Sequence, residues 1–303
     1  PIICGDFRQP RQMLADQTYE GHVSLHDDKM AEDLGFSGAP IEGPTHFSQF
    51  VPLLYHVFGK EWFESGCISS HYQNMVVEGE EVRAFVGDVD GNGCRIWAEK
   101  RDGTPVLTGT ASIGPNHPPS ELDQRIQKLR PVEQLVILSD LTVGMVTKED
   151  DPVTIDFDQH MGDMYPFTLN DKLKVITEPS PWYNKEDGNA SPWGRPIIPL
   201  EMISVLINST ARKHALPVKG PTVGLFADQE IKLIKSPLFV NYPYRIEREL
   251  VALSESRRVE STWIRTSLYD GEELAAQCML NSAMLKDSYA PYAQEAAALG
   301  KAI

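Results

Sequence analysis

The sequence predicts an α+β protein of two similar halves, in which each half is an antiparallel sheet wrapped on one long helix. Two observations predict this fold class. Short motifs recur about half a chain apart, and in both halves one helical pattern is followed by several runs rich in β-branched and aromatic residues. A doubly wound α/β fold would alternate strands with helices, so this order of elements excludes it.

The internal repeat is carried by residues 38–41 (Gly-Ala-Pro-Ile), which residues 194–197 (Gly-Arg-Pro-Ile) match in the second half. In each copy a helical pattern follows directly. Two further matches follow in the same order, Trp97 with Trp263 and Asp102-Gly103 with Asp270-Gly271. The repeat therefore extends from the helix into the strands behind it.

One amphipathic helix is predicted at the start of each repeat. Residues 44–59 carry apolar side chains at helical spacing. Pro44 suits the first turn, where a missing N–H costs nothing, whereas Pro52 predicts a kink or a break. Residues 199–214 have one apolar face and basic residues in the last turn, which the helix dipole favours.

Strands are predicted behind both helices. Asp-Gly pairs at 90–91 and 102–103 indicate hairpin turns. Residues 132–170 carry further strand-like runs that we expect to begin the second sheet. The main strand-like runs are 67–77, 80–89, 93–101 and 104–113 in the first half, and 222–234, 242–253, 257–269 and 272–284 in the second.

A polar, proline-rich stretch separates the two repeats, with Ser120 as the expected N-cap of a helix that begins at Glu121. We therefore predict an N-terminal domain at residues 1–115, a linker at 116–131 and a C-terminal domain at 132–303.

Composition excludes several classes of function. The chain has 28 Lys and Arg residues against 43 Asp and Glu residues, a formal net charge of −15, and no basic stripe, so nucleic acid is not an expected partner. No apolar run reaches the ~18 residues of a membrane span, the first residues do not resemble a secretory signal, and the four cysteines form no CxxC pair. We expect a soluble, cytoplasmic protein that binds neither membrane nor metal. No Gly-rich phosphate loop, G-x-S-x-G elbow or HExxH motif is present, and no cofactor is expected.

The segment before the first helix has the highest density of ionisable side chains in the chain. Three interpretations compete: a solvated loop, a metal site at His22 and His26, and an acid/base pair beside a helix start. The residues between the two histidines make a poor helix, so the imidazoles need not share a face. The ionisable residues are Glu20, His22, His26, Asp27, Asp28 and Glu42.

The helix start at Gly43 favours the acid/base interpretation. Backbone N–H groups without partners at a helix N-terminus can stabilise a carbonyl oxygen that gains negative charge during a reaction. Glycine at this position would let a ligand approach the backbone closely. A histidine with a neighbouring carboxylate could then move a proton at the carbon beside that carbonyl.

Residues 25–28 (Leu-His-Asp-Asp), Ala31, 35–38 (Gly-Phe-Ser-Gly) and 41–43 (Ile-Glu-Gly) resemble the MaoC-like, (R)-specific enoyl-CoA hydratase group of hot-dog proteins. That group has a loop of pattern Asp-x-Asn-Pro-Leu/Ile-His-x-Asp, then Ala, Gly-Phe/Gly and Ile-x-His-Gly, before a central helix. The motif match covers about residues 20–47. The resemblance implies an α+β double hot dog, with two antiparallel sheets, each wrapped around a central helix, packed as a pseudo-dimer.

The resemblance assigns catalytic roles to His26 and Asp28, the histidine and the acid of the His-x-Asp pair, and it places Gly43 on the glycine at the helix start. The chain departs from the pattern where the group has its catalytic aspartate, since Gly21 stands there. Val23-Ser24 replace the Asn-Pro pair, and Glu42 replaces the histidine before the helix glycine. Glu20 or Glu42 could supply the missing base.

The substrate-binding candidates are Gly43, His46, His71, Tyr72 and Trp182. His46 lies on the first helix, and His71 and Tyr72 begin a strand expected to run beside it. Trp182 stands in the second half where the first has His26, so we expect a degenerate C-terminal half that shapes the pocket and an N-terminal half that carries the active site.

The expected activity is that of a hydratase- or dehydratase-type lyase on an enoyl or 3-hydroxyacyl thioester such as acyl-CoA. Two alternatives stay open: a lyase or isomerase on a small-molecule acid or ketone without CoA, and a catalytically silent hot-dog binding module. Exposed sheet edges and helix faces commonly pair, so either a fused monomer or a homodimer of it is expected.

Overall fold

The computed structural model describes residues 1–15 and 38–302. These residues form one antiparallel sheet of ten strands: β1 (Ile3–Cys4), β2 (Gly66–Tyr72), β3 (Val82–Asp90), β4 (Gly93–Lys100), β5 (Pro105–Ile113), β6 (Val146–Lys148), β7 (Gly224–Leu233), β8 (Arg245–Glu255), β9 (Val259–Asp270) and β10 (Glu273–Leu285). The described α-helices are α1 (Val51–Phe58), α2 (Glu61–Ser65), α3 (Glu121–Gln127), α4 (Leu169–Val175), α5 (Leu200–Asn208) and α6 (Tyr292–Ala298). Short 3-10 helices span Gly43–Phe50, Pro181–Tyr183, Gly188–Ala190, Ala211–His214 and Lys286–Ser288.

The sheet joins two halves with the same strand order. The order is β1-β3-β4-β5-β2-β7-β10-β9-β8-β6, so the second half repeats the first on the other side of the β2–β7 pair. The sequence predicted two separate sheets, whereas β2 and β7 pair directly, from Cys67 opposite Lys232 to His71 opposite Asp228. Pairing satisfies backbone N–H and C=O groups that two free edges would leave without partners. The structure therefore has one continuous antiparallel sheet in place of the two sheets that were predicted.

The segments that lead into the two helices make the same backbone contact, but the equivalent residues are Ile41 and Ile198, one position beyond the Ile41–Ile197 match of the sequence repeat. The Ile41 N–H donates to the Val76 carbonyl at 2.6 Å, and the Ile198 N–H donates to the Leu238 carbonyl at 2.8 Å. Each motif is thereby fixed to the segment that follows the central pair of strands, directly before the helix of its half. The Asp-Gly turns are confirmed, since Gly91, Gly103 and Gly271 have positive φ angles.

The first predicted helix changes type near Pro52. Gly43–Phe50 is a 3-10 helix, and the α-helix α1 begins at Val51. Pro52 therefore occupies the first turn of α1, where its missing N–H leaves no helical bond unmade. The 3-10 segment is the buried part, because all of its residues from Pro44 to Phe50 are buried.

The second predicted helix is shorter than expected. α5 ends at Asn208, and Ala211–His214 forms a separate 3-10 turn. Every residue from Leu200 to Ile207 is buried. The two helices touch through a hydrogen bond between the side chains of Ser48 and Glu201, which links the halves inside the core.

The linker is an ordered helix against the outer side of the sheet. Ser120 caps α3 as predicted: its hydroxyl accepts from the Asp123 N–H at 3.1 Å, and the Asp123 carboxylate accepts from the Ser120 N–H at 3.0 Å. Leu122 is buried, and its N–H donates to the Ser69 hydroxyl of β2. Strands β1–β5 precede residue 115 and β6–β10 follow residue 131; the domain boundaries themselves stay a prediction.

The strand-like runs expected in residues 132–170 are mostly not strands. Within that range the structure has only the three-residue strand β6. The run 135–138 is buried, but its backbone donates to a side chain instead of a neighbouring strand. The fully buried Glu260 accepts from the N–H groups of Val136 at 2.9 Å and Leu138 at 3.0 Å. The Glu260 carboxylate thus supplies the hydrogen-bond acceptors that a neighbouring strand would provide if this run were a strand.

None of the helices in residues 1–15 and 38–302 has the length and apolar character that a membrane span requires. The four cysteines are free thiols.

Replacing Glu260 with alanine leaves two buried N–H groups without acceptors, so we expect the free energy of unfolding to fall by about 3 kcal/mol. Equilibrium urea denaturation measures the change. Glu249→Ala is the control, because Glu249 lies on the same sheet in a half-exposed pair with Arg265, and we expect its loss to cost less than about 1 kcal/mol. Equal effects of the two variants would contradict this account of residues 135–138.

Candidate active site

A cavity of about 440 Å³ extends between the start of the first helix and the sheet of the second half. Its near end contains Glu42, Gly43, His46 and Tyr72, four of the residues that the sequence predicted. Its walls are mainly apolar, with contributions from both halves of the chain. The cavity therefore has the concave, mostly apolar form of a small-molecule site with a few polar groups.

Glu42 is the ionisable group that this environment changes most clearly. Its side chain is buried, and its Oε1 atom has no hydrogen-bond partner among the described residues. Burial raises its pKa to about 7; the Lys172 ammonium opposes this shift and the Glu201 carboxylate adds to it. A carboxyl group with this pKa can take up and release a proton near neutral pH.

His46 lies one helical turn beyond Glu42 and is uncharged at neutral pH. Burial, with a contribution from Lys100, lowers its pKa to about 4. Its Nδ1 atom is buried and has no partner in the described part of the chain. The near end of the cavity thus combines a proton-exchanging carboxyl group with a neutral imidazole.

Gly43 lines the cavity, and its lack of a side chain also makes room for a neighbouring ring. A Cβ atom there would lie 2.5 Å from the Tyr72 ring, which packs directly on the Gly43 backbone. The close approach that the sequence assigned to a ligand is therefore made by Tyr72. The sequence predicted N–H groups without partners at this helix start. The Thr45 N–H is not one of them, since it donates to the Glu42 carbonyl at 3.0 Å.

Tyr72 is held in place by residues of the second half. Its hydroxyl donates to Gln229 Oε1 at 3.0 Å, and Gln229 Nε2 donates to the Ser204 hydroxyl of α5 at 2.9 Å. Burial raises the pKa of Tyr72 well above its usual value, so the phenol stays protonated. The near end of the cavity is accordingly built across the β2–β7 junction.

A buried ion pair lies behind Glu42. Lys172 of α4 and Glu201 of α5 place Nζ and Oε1 2.9 Å apart, and both side chains are almost completely buried. Glu201 also accepts from Ser48 on the helix that Glu42 precedes. The sequence analysis missed this pair, although Glu201 stands out as a carboxylate on a helix whose other residues up to Ile207 are uncharged.

His71 lies on the opposite face of the sheet from the cavity. Its Nδ1 atom is 2.7 Å from Asp228 Oδ1, and Asp228 also accepts from Asn281 at 2.7 Å and lies 3.6 Å from Arg125 of α3. Because successive side chains of a strand alternate between faces, His71 points outward where Tyr72 points inward. His71 thus belongs to a contact between the sheet and the linker, and its predicted substrate contact stays a prediction.

Trp182 belongs to an aromatic cluster and does not line the cavity. Its ring lies 5.2 Å from that of Phe63, 5.5 Å from that of Trp193 and 5.8 Å from that of Tyr55. The Trp193 indole N–H donates to Glu64. Trp182 therefore helps to anchor the loop before the second repeat on the first half, and its predicted substrate contact stays a prediction.

Glu20, His26 and Asp28 lie outside the described residues, as do His22 and Asp27. Their catalytic roles stay predictions. Within residues 1–15 and 38–302 no group of three or more His, Cys, Asp and Glu side chains could hold a metal ion.

The far end of the cavity contains a second polar cluster that the sequence analysis did not identify. Arg248 of β8 donates to Glu149 Oε1 at 2.6 Å and to the Ile207 carbonyl at 2.5 Å. His214 places Nε2 3.8 Å from Glu149 Oε2. No sequence motif joins these residues, because they come from a strand, a loop and the turn after α5.

Comparison with solved structures supports the double hot-dog prediction at the level of fold. The chain is similar to a putative MaoC domain protein dehydratase from Chloroflexus aurantiacus J-10-fl, with a TM-score of 0.57, 13% identity and 94% of each chain covered. It is also similar to a conserved hypothetical protein from Mycobacterium tuberculosis described as having a double hotdog fold, with a TM-score of 0.52, 10% identity, and 85% of this chain and 86% of that one covered. No protein-family model and no curated protein sequence matches the chain. The resemblance to MaoC-like dehydratases thus holds for the fold over most of the chain.

The raised pKa of Glu42 makes folding stability depend on pH. The carboxyl group ionises near pH 4.5 in the unfolded chain and near pH 7 in the folded one, so between these values the folded state binds more protons and stability falls as pH rises. Glu42→Gln removes this dependence. We expect the stability of the variant relative to wild type to increase by about 3 kcal/mol between about pH 4 and pH 8, measured by urea denaturation.

The control is Glu61→Gln, which changes an exposed glutamate at the start of α2 and should leave the pH dependence of stability unchanged. Parallel stability curves for wild type and Glu42→Gln would show that Glu42 ionises normally, and would contradict its assignment as a proton-exchanging group.

Proposed function

We propose that this protein is a hydratase- or dehydratase-type lyase, in which Glu42 exchanges a proton with a substrate activated by a carbonyl group. The observation that supports this function is the position of Glu42: a buried carboxyl group at the near end of a mainly apolar cavity, with a free oxygen and a pKa of about 7. The fold-level similarity to a MaoC domain dehydratase supports the same class of reaction.

In the hydration direction, the Glu42 carboxylate removes a proton from water while the water oxygen bonds to the β carbon of an α,β-unsaturated thioester. The π electrons move toward the carbonyl, and the α carbon takes up a proton to complete the 3-hydroxyacyl product. Dehydration follows the same steps in reverse. Each direction needs one group that accepts a proton and one that donates it.

His26 is the proposed second group. The sequence resemblance assigns it the catalytic histidine position, and Asp28 or Glu20 would orient it or assist the transfer. Glu42 then compensates for Gly21, which stands where the resembled group has its catalytic aspartate. A lyase or isomerase that acts on a small-molecule acid or ketone would use the same proton transfer, because the chemistry requires a carbonyl group and not CoA itself.

The finer features of the architecture belong to this proposal. The two halves would be two hot-dog units packed as a pseudo-dimer, and the continuous sheet through β2 and β7 supports that arrangement. The protein would work in the cytoplasm, as a fused monomer or as a homodimer of it. Size-exclusion chromatography with light scattering separates the two assembly states.

The activity is tested by following the absorbance of a conjugated trans-2-enoyl-CoA with wild type, Glu42→Gln and His26→Ala. We expect the chromophore to disappear with wild type, and both variants to be slower by about 100-fold or more. His56→Ala is the control, because His56 is exposed on α1 and should not change the rate.

If wild type leaves enoyl-CoA thioesters unchanged but the same assay detects turnover of unsaturated acids or ketones, the substrate is not a CoA thioester. Turnover that survives Glu42→Gln would contradict the proposed role of Glu42.

The ion pair behind Glu42 should set the pH dependence of the reaction. Loss of the Lys172 charge in Lys172→Met should raise the pKa of Glu42, and loss of the Glu201 charge in Glu201→Gln should lower it. The midpoint of the acidic limb of the pH–rate profile should therefore move to higher pH in the first variant and to lower pH in the second. Breaking a buried pair costs about 3–5 kcal/mol, so folding is first checked by circular dichroism. Unchanged midpoints in both folded variants would show that the pair acts only on stability.

A further inference from the structure

The cavity continues from Glu42 into the second half of the chain and reaches a polar cluster that the proposed reaction does not use. Four strand-to-strand steps separate β2, which carries Tyr72, from β8, which carries Arg248; at the usual spacing this is about 19 Å along the sheet. Apolar side chains from the three strands between line the cavity, among them Phe226 of β7, Leu280 of β10 and Ile264 of β9. The cavity thus has two polar ends and an apolar middle.

Arg248 at the far end is buried, with 8% of its side chain exposed. Nη1 donates to Glu149 Oε1 at 2.6 Å, and Nη2 donates to the Ile207 carbonyl at 2.5 Å and to the Thr210 hydroxyl at 3.3 Å. Its Nε atom is buried and has no partner among the described residues. These three bonds fix the two Nη atoms, while the Nε–H has no acceptor within residues 1–15 and 38–302.

His214, beside Arg248, provides a second nitrogen atom without a hydrogen bond among the described residues. Its Nε2 atom is buried and makes no hydrogen bond within the described part of the chain. It lies 3.8 Å from Glu149 Oε2 and 3.6 Å from Asp150 Oδ2, beyond the distance of a good hydrogen bond. Both Arg248 and His214 line the cavity.

We propose that the cavity binds an acyl ligand along its length, and that Arg248 and His214 bind an oxygen atom at the end of the chain opposite the reacting carbonyl. This inference rests on the proposed function, because it places the carbonyl end beside Glu42. The substrate class is then an acyl compound with a hydrogen-bond-accepting oxygen, a carboxylate or a neutral carbonyl or hydroxyl, at its distal end.

Buried N–H donors without acceptors favour a ligand that carries an oxygen atom at this end. A buried N–H without an acceptor costs free energy, and a ligand that supplies an acceptor recovers it, whereas a hydrocarbon end leaves the donor unpaired. Glu149 supports the arrangement by neutralising and orienting the guanidinium group without occupying Nε. A purely structural ion pair accounts for the bonds of Nη1 and Nη2 but gives Nε of Arg248 no acceptor among the described residues.

The test measures binding of N-acetylcysteamine thioesters by isothermal titration calorimetry. These probes carry the thioester without the phosphates of CoA. Saturated chains from hexanoyl to dodecanoyl are compared in three forms: plain, ω-hydroxy and ω-carboxy. At the chain length that spans the cavity, we expect an ω-oxygen form to bind about tenfold more tightly than the plain one. A preference for ω-carboxy identifies a carboxylate ligand, and a preference for ω-hydroxy identifies a neutral oxygen; either supports the proposal.

Two variants assign the preference to the far cluster. The double variant Glu149→Gln with Arg248→Gln removes both charges of the buried pair together, so no buried charge is left alone. His214→Leu removes the second nitrogen donor. Both should lose the preference for ω-oxygen probes while binding the plain probe within about twofold of wild type. The matched control is Lys148→Gln with Glu247→Gln, a pair 3.3 Å apart on β6 and β8 in which Lys148 is exposed and Glu247 is partly buried.

Equal binding of plain and ω-oxygen probes at every chain length would overturn the distal anchor and leave the proposed reaction standing. A preference that persists in the Glu149/Arg248 double variant and in His214→Leu would also overturn it. Glu42→Gln separates the two proposals, because it should keep the distal preference while it abolishes turnover. Absence of binding by every probe would overturn the distal anchor, whereas the proposed function is decided separately by turnover in the absorbance assay.

Discussion

The pairing of β2 with β7 is the contact on which the rest of the structure depends. It joins two similar half-sheets into one sheet, and its register decides which side chains enter the cavity. Tyr72 faces inward and bonds to Gln229 across the junction, whereas His71, its neighbour on the strand, faces outward to Asp228. Because side chains alternate along a strand, a shift of one residue would exchange these two roles. The near end of the cavity therefore exists only because the two halves meet in this register.

Burial then sets the chemistry of the groups at that junction. Glu42 and His46 are both removed from water, and each is pushed toward its uncharged form, the carboxyl group to a pKa of about 7 and the imidazole to about 4. The Lys172–Glu201 pair behind them keeps opposite charges together within the core. The outcome is a site in which one group titrates near neutral pH beside another that stays neutral, the kind of separation that acid/base catalysis uses.

The two halves share a backbone plan but not a chemistry. Ile41 and Ile198 make equivalent backbone hydrogen bonds, yet the residue that follows each is Glu42 in the first half and Pro199 in the second. The second half has no carboxyl group at that position. It contributes apolar residues to the cavity lining and the Arg248 cluster at the far end. The two copies of the scaffold thus differ: the first carries the buried carboxyl group, and the second contributes much of the cavity lining.

The sequence by itself determined what local pattern can encode. Local sequence was enough to predict four features: the repeat, the helix after each Pro-Ile motif, the Asp-Gly turns and the Ser120 cap. The resemblance identified Glu42 and Gly43 as candidate site residues. Tertiary structure decided what depends on residues far apart in the chain. Periodicity suggests that residues 135–138 form a strand, but the acceptor that binds their backbone is Glu260, more than a hundred positions away. The faces taken by His71 and Trp182, and the contacts of Lys172 and Arg248, are fixed by strand register and by packing between halves, which no local pattern contains.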